Sequence, residues 1–242
     1  MLPKTLKEAN CYAFADCKNL RLINVEDGCG ASLRDTRVPD STKVCLPPET
    51  MVGEVKLLDL RNCKQIVIPD GIERIGNHWF WGSLVEHVTI PASVREICVN
   101  AFCICEKLKD VIFAEGSRLK VIEREAFYSC SSLQNIQLPD YVEEIGLDAF
   151  NGTGLESFVA PPSLRVLRQS AFQDCKNLKY VKLNEGLEVL GTDEHPGGWN
   201  WCGVFQGIAV ECVELPSTLR RIESSTFWGC KNLKSIELPE RL

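Results

Sequence analysis

The sequence predicts a single α/β repeat solenoid, in which one sheet of short parallel strands stands opposite helical turns or loops. The first observation is a phenylalanine that recurs along the 242-residue chain in steps of 22, 25, 23, 22, 33 and 22 residues. A fixed period of this size is the signature of stacked repeats. We therefore predict one domain over residues 1–242, with about ten turns of 22–25 residues. The recurring residues are Phe80, Phe102, Phe127, Phe150, Phe172, Phe205 and Phe227.

The second observation is the motif around each phenylalanine. Aligned on that residue, the unit reads P-x-x-[LV]-x-x-[IL]-x-x-x-A-F-x-x-C-x-x-L-x-x-[IV]-x-[LIV]-P. Phe14 keeps the same phase, 66 residues before Phe80. The two stations between them fall at Thr36 and Leu58, so residues 27–59 are interpreted as degenerate repeats.

The end of each unit predicts a strand. Apolar and polar residues alternate there, as in Ile136-Gln137-Leu138, and a proline that cannot donate to a ladder follows. The A-F-x-x-C stretch is too short for a full helix and predicts a helical turn or a tight loop. Its Phe and Cys should point inward, so that stacked turns share one long core.

The thirteen cysteines follow the repeat rather than a disulfide pattern. A residue tied to the repeat phase has a packing role, and a free Cys behaves as a small buried hydrophobe. We predict mostly reduced, structural thiols, with Cys103 facing outward. Zinc binding by Cys98, Cys103 and Cys105 is disfavoured because no C-x-x-C pair is present. The cysteines three residues after a repeat aromatic are Cys17, Cys105, Cys130, Cys175 and Cys230.

The motif resembles the leucine-rich repeats of the BspA-like type, from Pro3 to Leu242. The resemblance implies a leucine-rich-repeat solenoid without catalytic activity of its own. It also implies an adhesion or recognition region of a larger surface or secreted protein. The first residues carry no signal peptide, and the reduced thiols favour a reducing compartment or shielding. An intracellular scaffold or adaptor, or the repeat domain of a longer enzyme, stays an alternative.

Charge and composition exclude several partners. The net charge is −6, and Lys and Arg are scattered singly between acidic residues, so nucleic acid is not expected as a ligand. The longest apolar runs are strand-sized, so membrane insertion is not expected either. Neither end of the sequence carries a polar cap, which would allow end-to-end self-association.

Residues 191–203 form an insertion that lengthens one repeat. Its Gly and Pro residues predict a loop, and such loops often bind partners. Trp199 and Trp201 are candidate contact residues there, unless they fold back over the neighbouring repeats. The acidic, His and Cys residues of this loop match no common metal-ligand spacing, and we predict no metal, cofactor or catalytic residue.

The outward side chains of the strands form the other candidate binding surface, for a protein ligand. Extended strand faces are the usual contact surface of solenoids. A second strip, made of Trp81, Tyr128 and Trp228, follows the repeat phenylalanine by one residue and is interpreted as packing between turns. The candidate protein-binding residues on the strands are His87, Asp110, Asn135, Gln137, Tyr180, Lys182 and Glu214.

Overall fold

The described residues form a solenoid of short parallel strands. The structure, a computed structural model, describes residues 1–3, 5–6, 13–14, 17–25, 38–39, 41–45, 63–191, 202–240 and 242. Two rows of strands run along the solenoid, one turn after another, and the repeat phenylalanines stack between them and the turns. Within these residues no helix is long and apolar enough to cross a membrane.

The first row contains the strands that the alternating pattern predicts. Its strands pair in parallel in two sheets, a five-stranded sheet in the order β1-β2-β3-β5-β7 and a three-stranded sheet in the order β10-β12-β14. Each strand buries its second residue and leaves the residues on either side of it half-buried or exposed, as the period of two requires. The strands are β1 Leu22–Asn24, β2 Lys43–Cys45, β3 Gln65–Val67, β5 His87–Ile90, β7 Asp110–Phe113, β10 Ser157–Val159, β12 Tyr180–Lys182 and β14 Cys212–Glu214.

A second row of strands corrects the expectation of one sheet. These strands hold the [LV]-x-x-[IL] part of the motif and have only two residues each, too few to show an alternating pattern in the sequence. They form a five-stranded sheet in the order β11-β9-β8-β6-β4 and a pair β13-β15. The strands are β4 Arg74–Ile75, β6 Glu96–Ile97, β8 Val121–Ile122, β9 Glu144–Ile145, β11 Val166–Leu167, β13 Val189–Leu190 and β15 Arg221–Ile222.

The A-F-x-x-C stretch forms consecutive tight turns, and the described residues contain no helix here, so the loop alternative holds. The peptide unit that joins Ala101 to Phe102 shows why. Its carbonyl accepts a hydrogen bond from Phe80 N of the preceding turn at 2.8 Å, and its N–H donates to Ala126 O of the following turn at 2.8 Å. Two more peptide units of this turn bridge in the same way, those ending at Asn100 and Ile104. Donors used between turns cannot make the i→i−4 bonds of a helix.

Left-handed backbone conformations recur on this side of the solenoid. Positive φ angles occur two residues before and two residues after the repeat phenylalanine, as at Asn100 (58°) and Ile104 (60°) around Phe102. Such angles are uncommon for residues other than Gly, Asn and Asp, and Ile104 is the bulkiest residue that adopts one here. They reverse the chain at each step and so align every second peptide unit with the solenoid axis.

The core is a column of stacked phenylalanine rings. The centroids of Phe102 and Phe127 are 5.2 Å apart, and those of Phe127 and Phe150 are 5.3 Å apart, with nearly parallel planes. The column continues through Phe172 and Phe205 to the half-buried Phe227. The inward orientation predicted for these residues is therefore observed.

Most, but not all, expectations about cysteine hold. Cys105, Cys130 and Cys175 are fully buried, whereas Cys17 is exposed and Cys230 is half-buried. Cys103 is buried, so its predicted outward orientation is wrong: the turn after Phe102 folds it against Trp81. The count of ten turns is not confirmed and stays a prediction, and most of residues 27–59 lie outside the described residues.

Candidate interaction surfaces

The strand register brings His87 and Asp110 together. They are direct partners on β5 and β7, and His87 Nδ1 lies 2.6 Å from Asp110 Oδ2. Both side chains are about half exposed, so this pair contributes little to stability and leaves a polar contact available to a ligand.

A second polar cluster joins Tyr180, Lys182 and Glu214. The Tyr180 hydroxyl donates to Glu214 Oε1, and Lys182 Nζ lies 3.1 Å from Glu214 Oε2. The hydrogen bond from Tyr180, followed by that from Lys182, lowers the pKa of Glu214. The hydrogen bond between Tyr180 and Glu214 also raises the pKa of Tyr180. Glu214 therefore stays ionised on the outer face of β14 and fixes the Tyr180 ring.

Asn135 and Gln137 lie between these two clusters, in a turn where the strand row is interrupted. Residues 134–139 donate no backbone hydrogen bond to β7 or to any other described residue, which separates the five-stranded sheet from the three-stranded one. Both side chains are exposed. A groove of about 630 Å³ opens at this interruption, between β7 with its following turn and residues 137–141.

Three apolar side chains around this interruption belong to the surface, and sequence reasoning did not select them. Ile112 and Val159 are each 58% exposed, and Tyr141 is 62% exposed. Ile112 and Tyr141 line the groove beside Gln137. The sequence could have indicated two of them, since Ile112 and Val159 occupy outward positions of the strand motif. They were not selected because most of the other outward residues are polar.

Most of the inserted loop, residues 192–201, lies outside the described residues. Trp199 and Trp201 lie outside the described residues, and only Gly191, Cys202 and Gly203 of the insertion are described. Their predicted contact role stays a prediction.

The aromatic strip beside the repeat phenylalanines does not pack between turns throughout. Trp81 is 46% exposed and Trp228 is 67% exposed, so the packing interpretation is wrong for these two, while Tyr128 is half-buried. At Trp81 and Trp228 the following glycine has a positive φ and reverses the chain, and the ring lies at the surface of the turn, whereas Cys103 at the same position of its own turn is buried. The turn side therefore presents aromatic surface.

Cys98 groups with carboxylates rather than with other cysteines. Ligand atoms of Glu96, Cys98 and Glu123 lie within 4.8 Å of one another, a donor set that a metal ion could use. Arg74 already binds two of them, with Nε 2.7 Å from Glu96 Oε2 and a terminal nitrogen 3.5 Å from Cys98 Sγ. Burial, followed by repulsion from Glu96, raises the pKa of Cys98 to about 11, which disfavours the thiolate that metal binding needs. The cluster is explained as a cross-turn ion pair.

These features define a class: parallel-strand repeat solenoids with an exposed strand face. The model of the BspA type leucine rich repeat region matches in six copies, over residues 57–118, 116–194 and 202–242. The chain therefore belongs to the BspA-type leucine-rich repeat family, as the motif indicated.

Solved structures agree with this family. A leucine-rich repeat protein from Bacteroides ovatus is 31% identical with a TM-score of 0.61, and the match covers 73% of this chain and 46% of that one. The T. pallidum Leucine Rich Repeat protein is 28% identical with a TM-score of 0.57, and the match covers 79% and 77%. The chain thus spans less than half of the Bacteroides protein. No curated protein matches the chain.

Proposed function

We propose that the chain is a non-catalytic protein-interaction module that binds a protein ligand through its strand face. Leucine-rich repeats of this kind are generally interaction modules without catalytic activity, which supports the general class. The proposed contact residues are the His87–Asp110 pair, Asn135, Gln137, and the cluster of Tyr180, Lys182 and Glu214. The exposed apolar residues Ile112, Tyr141 and Val159 extend this set.

One observation carries the proposal: large apolar side chains are exposed among fixed polar groups on the strand face. Ile112 and Val159 flank the position of Gln137, and each exposes 58% of its surface. Interfaces combine an apolar centre with a polar rim, and the His87–Asp110 pair and the Tyr180 cluster flank the apolar residues on either side. The His87–Asp110 pair and the Tyr180 cluster each contain hydrogen-bond donors and acceptors. They favour a protein ligand, because a protein surface offers both kinds of group in return.

The experiment is site-specific photo-crosslinking from the strand face. A photo-reactive amino acid replaces Ile112 in one variant and Lys176 in a matched control, because Lys176 is exposed but lies in a turn away from the strands. We expect a defined crosslinked protein from position 112 only, and its loss when Val159→Asp or Tyr180→Ala is added. Equal crosslinking from both positions, or a crosslink that survives both substitutions, would reject the strand face as the binding site.

We further propose that the module is an adhesion or recognition region of a larger surface or secreted protein, with about ten turns forming one domain over residues 1–242. The family resemblance supports this role, and end-to-end self-association with a second copy is part of the proposal. An intracellular scaffold, or the repeat domain of a longer enzyme, is the alternative. The reading frame of the source gene, together with cell fractionation of the native protein, distinguishes the three.

A further inference from the structure

The interruption of the first strand row at residues 134–139 is confined to that row. On either side of it the strands are paired, β5 with β7 and β10 with β12. In the same turns the second row continues, because β8 pairs with β9, and the rings of Phe102 and Phe127 stack 5.2 Å apart. The turns therefore stay stacked, and only the strand face opens between them.

β7 meets this interruption with an edge that is not paired. Consecutive residues of a parallel strand direct their backbone groups to opposite sides. Ala114 N donates to Ile90 O of the preceding turn at 2.9 Å. By alternation, Val111 and Phe113 direct their N–H and carbonyl groups to the following turn. No backbone hydrogen bond joins them to residues 134–139, in a stretch of the chain that is described throughout.

The groove at the interruption lies along this open edge. Its volume is about 630 Å³, and β7 forms one wall while residues 137–141 form the other. A volume of this size is typical of a ligand site. β7 has four residues, so an added strand would pair with it over about 13 Å. We call this site the β7-edge groove.

The side chains around the β7-edge groove suit the side chains of such a strand. Ile112 is 58% exposed and Tyr141 is 62% exposed, and both line the groove. Every second side chain of an added strand would lie beside Ile112 on the outer face of the row. Asp140 is the only charged side chain among the described residues that line the groove, so charge does little to select the occupant.

The open backbone edge specifies the chemistry of the occupant. An unpaired strand edge is a template for pairing with another chain, and a polypeptide backbone offers donors and acceptors at the matching spacing. We propose that the protein ligand contributes an extended segment that pairs with the edge of β7 in this groove. The proposal rests on the proposed function, since it uses the same face, and it specifies the conformation in which the partner binds.

Hydrogen exchange at single amides tests whether the edge is open. Val111 and Phe113 are the ladder partners of Val88 and Ile90 on β5, a strand that is paired on both sides. In the free protein we expect the amides of Val111 and Phe113 to exchange at least about tenfold faster than those of Val88 and Ile90. Saturation with the uncharged peptide acetyl-Ser-Thr-Val-Thr-Val-Thr-Ser-amide should slow exchange at Val111 and Phe113 by at least about tenfold.

Two N-methylated peptides separate backbone pairing from side-chain contact. One carries N-methyl groups on both valines, and the other carries them on the last two threonines. Each keeps its side chains but loses donors from one side of the extended strand. We expect at least one of them to bind at least about tenfold more weakly than the parent peptide, as measured by NMR titration.

A matched pair of protein variants locates the site. Ile112→Asp places a charge beside the apolar side chains of the bound peptide and should weaken binding at least about tenfold. Val67→Asp is the control, because Val67 is exposed and occupies the same outward position on β3, within the paired part of the row. It should leave the affinity unchanged.

Three results would overturn the proposal. The first is exchange at Val111 as slow as at Val88 in the free protein, because the edge would then be closed. The second is equal binding of all three peptides, or no binding of any. The third is slow exchange at Val111 that depends on protein concentration without peptide, which would make a second copy the occupant. In each case a crosslink from position 112 would still support the strand face as the binding surface, so the two proposals fail separately.

Discussion

The thiol three residues after the repeat phenylalanine has a hydrogen-bonding role as well as a packing role. Cys130 Sγ donates to Phe102 O at 3.1 Å, and Cys175 Sγ donates to Phe150 O at 3.1 Å, each reaching the preceding turn. Cys230 makes the same bond to Phe205 O at 3.0 Å. The position thus requires a small side chain that fills the core and satisfies a carbonyl between turns.

Thiol reactivity should follow this burial. Burial raises the pKa of Cys175 to about 11 and that of Cys130 well above its ordinary value, so neither forms a thiolate near neutral pH. With iodoacetamide at about pH 8 we expect exposed Cys212 to be alkylated at least about tenfold faster than Cys130 and Cys175. Peptide mass spectrometry over a time course measures the rates, and denaturant should equalise them. Similar rates in the native protein would contradict the buried thiol positions.

The pH dependence of stability should show the contribution of Glu123. Burial, followed by its hydrogen bond with Glu96, raises the pKa of Glu123 to about 7. A pKa raised on folding gives stability that is fully present below the unfolded pKa and is lost as pH rises through the folded pKa. From about pH 5 to about pH 8 the protein should therefore lose stability as Glu123 ionises.

Glu123→Gln tests this directly. The amide keeps an acceptor for Val99 N, which lies 2.8 Å from Glu123 Oε2, and it cannot ionise. We expect the substitution to raise Tm more at about pH 8 than at about pH 5, as measured by thermal unfolding. Glu115→Gln, at an exposed site on another turn, is the control and should shift Tm equally at both values. An equal shift for Glu123→Gln would contradict the prediction.

The column of stacked phenylalanine rings should contribute more to the free energy of unfolding than any other part of the turns. Phe127 is fully buried between Phe102 and Phe150, so Phe127→Ala opens a cavity in the middle of the column and should cost about 3–5 kcal/mol. Phe227→Ala, at a half-buried position, should cost clearly less. Denaturant unfolding compares the two, and an equal loss would mean that the rings do not form one continuous core.

Close approach of neighbouring turns should make one glycine essential. A Cβ atom at Gly154 would collide with the carbonyl oxygen of Ser131 on the preceding turn, and backbone cannot yield as a side chain can. Gly154→Ala should therefore cost more than about 2 kcal/mol. Gly116→Ala is the comparison, because Gly116 has open space and a φ of 73°, and it should cost about 1 kcal/mol. A smaller loss for Gly154→Ala, by thermal unfolding, would argue against the observed packing of turns.

The strands of the first row could be predicted from the sequence, and the turns could not. A strand such as β10 can be recognised by alternation within a few residues, since Ser157 and Val159 are exposed and Phe158 between them is buried. The turn around Phe102 depends on backbone hydrogen bonds between residues 21 or 24 positions apart, which no local pattern reports. The same dependence explains why Cys103 was misplaced and why Trp81 was taken for a packed residue.

For the whole molecule, stability should decrease away from the central turns, because each turn contacts only its neighbours. Hydrogen–deuterium exchange should be slowest for amides that bond between central turns, such as Phe127 N, which is 2.8 Å from Ala149 O. Gly207 N, near the half-buried Phe227, should exchange faster by at least about tenfold. Uniform protection along the chain would indicate a single cooperative unit instead.

At the scale of the whole molecule, only some features of the candidate surfaces could be predicted from the sequence. The register of β5 with β7 and of β12 with β14 follows from the repeat period, and so the pairing of His87 with Asp110 and of Lys182 with Glu214 could be anticipated. The interruption at residues 134–139 could not, because it arises from how consecutive turns stack.

The bridging peptide units of the turn side have an electrostatic consequence for the molecule. In the turns around Phe102, Phe127 and Phe150, three of them have the carbonyl directed to the preceding turn and the N–H directed to the following one, as for Ala101–Phe102. Their dipoles, about 3.5 D each, add along the axis as they do in a helix, but with the negative pole toward the N-terminal turns. Parallel strands leave little net dipole to oppose this. The described part of the solenoid is thus electrically polar along its axis.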